Sequence, residues 1–158
     1  MRLKKALTVM LSVFFCAAAL SACSLSDTGT PEVADDEIEL QIQLDTREDI
    51  GMLVVHYDAN DSAGSGGVAN ADRSPLRHDE LLFYTLYRQD FNHPSDVRNL
   101  SIQFVVITEY FEPNLENRYP TAYTKPLEAI SLSANFGESY SITISGDQTN
   151  GYRAILAQ

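Results

Sequence analysis

Ser139-Tyr140-Ser141-Ile142-Thr143-Ile144-Ser145, Gly146-Asp147-Gln148-Thr149-Asn150-Gly151 and Tyr152-Arg153-Ala154-Ile155-Leu156 run consecutively near the end of the chain. Tyr140, Ile142 and Ile144 alternate strictly with Ser and Thr. An extended chain turns successive side chains to opposite faces, so this period of two marks a strand with one buried and one wet face. The glycine-bounded segment 146–151 is a turn, after which Tyr152, Ala154 and Leu156 resume the alternation. Residues 139 to 157 therefore read as a hairpin whose Tyr, Ile and Leu side chains share one core face.

The same period recurs upstream. Ile38, Leu40, Ile42 and Leu44 alternate with Glu37, Glu39, Gln41, Gln43 and Asp45. After a turn at Thr46 to Asp49, the segment Ile50 to Tyr57 is apolar on both faces, which predicts a central strand hairpinned to the first. Leu100, Ile102, Phe104 and Val106 fill one face of residues 99–110, and Val105 and Ile107 add to the other. Ile130, Leu132, Ala134 and Phe136 alternate with Ser131, Ser133 and Asn135. Residues 80–91 read as a strand from their aromatic density and the Asn92-His93-Pro94 turn. A helix capped by Ser74-Pro75 is the alternative there. Asp58 to Pro75, with Gly64, Gly66 and Gly67, reads as a long loop, and Phe111 to Pro126 as a second one.

The expectation is about seven strands in the 122 residues from 37 to 158. That predicts an all-β fold: a single two-sheet β-sandwich, immunoglobulin-like in outline only, without the Cys and Trp hallmarks of antibody domains.

The first residues obey a different grammar. Arg2, Lys4 and Lys5 precede an apolar run of 15 residues, Ala6 to Leu20. A bilayer-spanning helix needs about 20 apolar residues, so the layout fits a secretory signal better than a span. The run ends in Leu20-Ser21-Ala22-Cys23. This tetrapeptide resembles the lipobox of bacterial lipoproteins. Cys16, preceded by Phe14 and Phe15, does not fit it. The resemblance implies cleavage before Cys23, flanked by Leu20, Ser21 and Ala22. It also implies a covalent diacylglycerol on the Cys23 thiol, with a further acyl chain on the new amino terminus, and no other cofactor. Localisation would then be the cell membrane, lipid-anchored on its extracytoplasmic face, with the inner or outer membrane left open. The other reading is an ordinary secretory signal that leaves Cys23 a thiol. Two buried acyl chains anchor stably where one is marginal, at about 0.8 kcal/mol per CH₂.

The boundaries that follow are 1–22 as a lipoprotein signal peptide, 23–36 as a lipidated Cys and acidic tether, and 37–158 as the sandwich. The tether, Ser24 to Asp36, is polar and acidic, with an r.m.s. span of about 20 Å if flexible. With Cys23 the sole remaining Cys, no intrachain disulfide forms after cleavage.

The whole chain carries −11, but residues 23–158 hold 8 basic and 22 acidic side chains, a charge of −14. Such a chain repels phosphate backbones, which excludes nucleic acid as a partner.

Catalytic and metal motifs are sparse. His56 lies inside a strand, His78 stands in His78-Asp79-Glu80, and His93 precedes Pro94, with no zinc-ligand spacing among them. Asp58, Asn60 and Asp61 start like a calcium loop. However, Ala63 and Ala69 occupy the positions that need Gly and Glu, so only an irregular Ca²⁺ site stays open. No Ser stands in a nucleophile elbow, and Gly64-Ser65-Gly66-Gly67 lacks the Lys of a phosphate cradle. Glu109 with Glu112, or Glu112 with Glu116, are the carboxylate pairs a glycosidase would need. Tyr110, Phe111, Arg118, Tyr119 and Tyr123 are the candidate binding residues, because Tyr and Arg are typical interface anchors. The same rings are also what would plug an open end of the core.

The expected function is a non-catalytic binding or scaffolding lipoprotein whose partner is an envelope protein or glycan. The alternatives are an accessory ligand- or Ca-binding lipoprotein of an uptake system and a small hydrolase.

Overall fold

The computed structural model describes residues 32–59, 61–93, 97, 99–112 and 119–157. The Leu20, Ser21, Ala22 and Cys23 motif, Asn60, Glu116 and Arg118 lie outside the described residues, as does most of the 23–36 segment. In the body from Val33 onward, the regular structure among the described residues is strand, apart from two single 3₁₀ turns at Arg88–Asp90 and Thr121–Tyr123.

Among the described residues nine strands follow in order: β1 Glu37–Thr46, β2 Met52–Ala59, β3 Ser62–Val68, β4 Leu81–Tyr87, β5 Leu100–Ile107, β6 Thr124–Pro126, β7 Ile130–Leu132, β8 Glu138–Asp147 and β9 Gly151–Leu156. They form two sheets, β4-β1-β8-β9 and β3-β2-β5-β6, with β7 also paired to β5. The expected two-sheet β-sandwich is present, with more strands than the seven anticipated.

The alternation in β1 is realised directly. Ile38, Leu40, Ile42 and Leu44 are buried, while Asp45 is exposed. Each such aliphatic side chain contributes about 2 kcal/mol on burial. Across the interior stand Leu53 and Val55 from β2 and Leu100, Ile102, Phe104 and Val106 from β5. The β8–β9 hairpin forms as read, with Ile142 opposite Leu156 and Ile144 opposite Ala154.

Three expectations are corrected. First, β1 and β2 do not pair. β1 lies antiparallel to β4 and parallel to β8, so both its edges are taken. The link Arg47 to Gly51 instead crosses between sheets, held by the exchange of backbone bonds between Ile50 and Leu76 at 3.0 and 2.8 Å. A cross-sheet corner and a hairpin carry the same alternation, so sequence did not separate them.

Second, the segment 58–75 is not one long loop. β2 runs to Ala59 and β3 returns from Ser62, with Asp58 opposite Ala63. Gly64 and Gly66 face inward, and a Cβ on either would overlap the rings of Tyr57 and Tyr84 respectively. The two rings fill the space that β3's own side chains leave empty. Third, the 111–126 connection contains a short strand, β6, which pairs with the end of β5. Residues 81–87 are a strand, and the helical alternative is removed.

Candidate functional site

β2 and β5 are apolar on both faces, and the outer face carries a second, smaller core. Met52, Val54, Val105 and Ile107 are buried there, with Phe111 and Tyr119 packed against them. The Tyr123 ring is tilted against Phe111 at 5.2 Å between centroids. Three of the sequence candidates, Phe111, Tyr119 and Tyr123, thus come together over one sheet face. They cover the outside of the sheet; they do not plug an end of the main core. Tyr110 is half-buried, and burial together with the nearby Tyr110 pushes the Tyr119 hydroxyl above its ordinary range.

The chain is steered onto this face at a residue that sequence reading passed over. Gly51 is buried, and a Cβ there would overlap the backbone of Glu109 and Tyr110. Its amide donates to the Ile107 carbonyl at 2.8 Å. Only glycine lets the strand leaving β5 pass this close to the start of β2. The far end of the connection is tied back too. The amide of Thr108 donates to the Tyr123 carbonyl at 2.9 Å, and the Thr124 hydroxyl to that of Pro120 at 2.9 Å.

Between the aromatic cover and β3 lies an open groove of about 550 Å³. Met52, Val54 and Val105 line its apolar part, and Tyr119 and Thr124 line it from the connection side. Ser65, Gly67 and Ala69 line it on the β3 side, where Gly67 stands opposite Val54 and leaves that wall low. His56, exposed and paired across the strands with Ser65, adds a polar end. A concave apolar surface with a few polar groups at its margin is the usual form of a binding site. The glycine-rich run read as a failed phosphate cradle is therefore a groove wall.

The other candidates are dispersed. Asp58, near the end of β2, and Asp61, immediately before β3, are both exposed. Among the described residues no three His, Cys, Asp or Glu side chains gather as metal ligands would. His78 is held by Asp49, ring to carboxylate, at 2.8 Å, and that bond keeps the Asp49 carboxyl below its usual range. Glu112 is paired with Arg73, and Glu109 is exposed.

A second cavity, of about 560 Å³, lies at the β8–β9 turn beside Arg47, Asp147 and Tyr152. Its polar groups are mutually satisfied. Asp147 accepts from the amides of Thr149 and Asn150 at 2.9 and 2.6 Å, and from Arg47 at 3.2 Å. These bonds, led by the Asn150 side chain, hold its carboxyl below the ordinary range. The Tyr152 hydroxyl donates to Glu48, and burial followed by that carboxylate pushes the phenol far up. This arrangement ties the β1–β2 corner to the β8–β9 turn.

No family model matches the chain, and no curated protein matches it in sequence. Distant likenesses exist among solved structures. An NMR structure of a protein from Eubacterium rectale shares 7% identity at a TM-score of 0.40, covering 78% of this chain and 90% of its own. The membrane-binding domain of pneumolysin shares 13% at 0.37, covering 77% and 96%. A disulfide-locked intermedilysin, solved with human CD59, shares 9% at 0.38, covering 77% of this chain and 24% of its own. Scores this low describe a remote likeness and carry nothing about what this chain binds.

Proposed function

We propose that this protein is a lipid-anchored, extracytoplasmic binding module of the cell envelope, that it performs no catalysis, and that it recognises its partner through the outer face of the β3-β2-β5-β6 sheet. The observation that carries the recognition is the groove itself. Met52, Val54 and Val105, themselves buried, form its aliphatic floor, with Tyr119 beside it. Aliphatic lining favours apolar side chains of an envelope protein over a glycan, because sugars stack on broad flat rings and, beside the small His56 imidazole, the lining offers only Tyr119. The anchor rests on the resemblance of Leu20-Ser21-Ala22-Cys23 to a lipobox.

The two halves are tested separately. Cys23→Ala is expected to release the protein from carbonate-washed membranes, and retention there would refute the anchor. Crosslinked capture of the anchored protein from its own cells is expected to recover one envelope protein. With Tyr119→Ala the yield should fall at least about tenfold, since an aromatic anchor is commonly worth 2 kcal/mol or more. Equal yields from parent and variant would remove the groove from the function.

A further inference from the structure

The other sheet ends in an edge of unusual character. β4 reads Leu81-Leu82-Phe83-Tyr84-Thr85-Leu86-Tyr87, with no charge, Pro or Gly to blunt it. Leu81, Phe83 and Tyr87 are 46, 53 and 43% exposed, and they lie on one face. Backbone parity fixes which groups look outward. The Leu44 amide donates to the Glu80 carbonyl and the Arg88 amide to that of Asp36, so even-numbered residues bond to β1. Leu81, Phe83 and Thr85 then turn their backbone N–H and C=O to the open edge. Tyr87 also faces away, its amide capped by Asp90 at 2.7 Å. Among the described residues no strand pairs with that edge. Edges of this kind are templates for strand addition unless covered.

We infer that β4 pairs antiparallel with β4 of a second copy of this chain, joining the two four-stranded sheets about a two-fold axis at Tyr84. One register suits the sequence. With Tyr84 opposite itself, Phe83 of each copy faces Thr85 of the other and exchanges both backbone bonds with it. Leu81 then faces Tyr87, which makes one continuous apolar patch from three large side chains per copy. The same register sets Arg88 of one copy opposite Glu80 of the other at each end, so the residues flanking the apolar strand are opposite in charge, with Arg88 also held over the Phe136 ring and to the Asp35 carbonyl of its own chain. Asp90, which caps the Tyr87 amide, has to release it for Leu81 and Tyr87 to exchange backbone bonds, so the central Phe83 and Thr85 pairs carry the contact. The Glu37 and Glu39 row on β1 would stand three strand spacings, about 14 Å, from its counterpart, beyond a screening length of about 8 Å. A two-fold, self-complementary contact is the commonest way a soluble chain closes such a surface.

Disulfide trapping in membranes reads the register. Full chains carrying Phe83→Cys and Thr85→Cys, differently tagged, are expressed together. Opposed residues of this kind lie about 5.5 Å apart at Cα, within disulfide reach, whereas Phe83 and its own counterpart lie beyond about 7 Å. The mixed pair should give at least about tenfold more linked dimer than either variant alone or the parent, which sets the background. Leu81→Cys with Tyr87→Cys reads the same register and must give the same result, which guards against one pair failing to fold. Three results overturn the inference: no excess in the mixed pair when both variants melt with the parent, equal linkage in single and mixed samples, or linkage to a different protein.

Discussion

Gly51 has more structural consequence than its size suggests. It admits the backbone of Glu109 and Tyr110 against β2, and so decides where Phe111 and Tyr119 land. Gly51→Ala must push that backbone away, an overpacking cost of about 1–3 kcal/mol that urea denaturation would register. The same variant should loosen Tyr119 and weaken partner capture. Asp147 makes a different prediction. Its carboxyl is held low by the Asn150 side chain first and the turn amides next. A depressed folded value means stability that is present above the ordinary Asp range and lost as pH falls through the folded value. Melting temperature should therefore drop on acidification below about pH 4, and Asp147→Asn should both lower it at neutral pH and flatten that acid limb. An unchanged acid limb in the variant would show that other carboxylates carry it. Of these residues, Phe111, Tyr119 and Tyr123 were visible in the sequence as an aromatic cluster. Gly51 was not, because a close backbone approach leaves no compositional trace.

Elements divide by whether their own side chains specify them. β1, β5, β8 and β9 carry the period of two in large aliphatic and aromatic residues, and all were legible. β3 does not. Between the buried Ser62 and the core-packed Val68, its inward positions are Gly64 and Gly66, where the filling is supplied by Tyr57 on β2 and Tyr84 on β4. A strand whose filling is borrowed looks like a glycine-rich loop from sequence alone. This borrowing predicts coupling. Gly66→Ala should destabilise by about 1–3 kcal/mol by colliding with the Tyr84 ring. In a Tyr84→Ala background the same substitution should cost little, and the double-mutant cycle in urea measures the difference. Additive costs would show that the ring does not occupy the glycine's space. β6 escaped notice for another reason: at three residues it is too short to display a period.

At the scale of the molecule, the two outer faces differ. The outer side of the β4-β1-β8-β9 sheet shows Glu37, Glu39 and Asp45 with a row of Ser and Thr, beside the exposed Leu81, Phe83 and Tyr87 of the β4 edge, whereas the other sheet carries the groove with its aliphatic floor. Residues 24–50 hold nine acids and one base, and residues 51–158 hold 13 acids and seven bases, so the acidity concentrates in the segment that follows the proposed lipidation site. Near an anionic bilayer such acidity repels headgroups within about 8 Å. The charge thus speaks to placement, and the apolar groove to recognition.

Site-specific photo-crosslinking in intact cells compares the two faces directly. A photoreactive residue replaces Ser65, at the groove, or Ser141, exposed on the outer side of the opposite sheet. A discrete envelope-protein adduct is expected at position 65, at least about tenfold stronger than at 141, and lost when Tyr119→Ala is added. Adducts confined to position 141, or equal at both positions and indifferent to Tyr119, would contradict recognition through the groove.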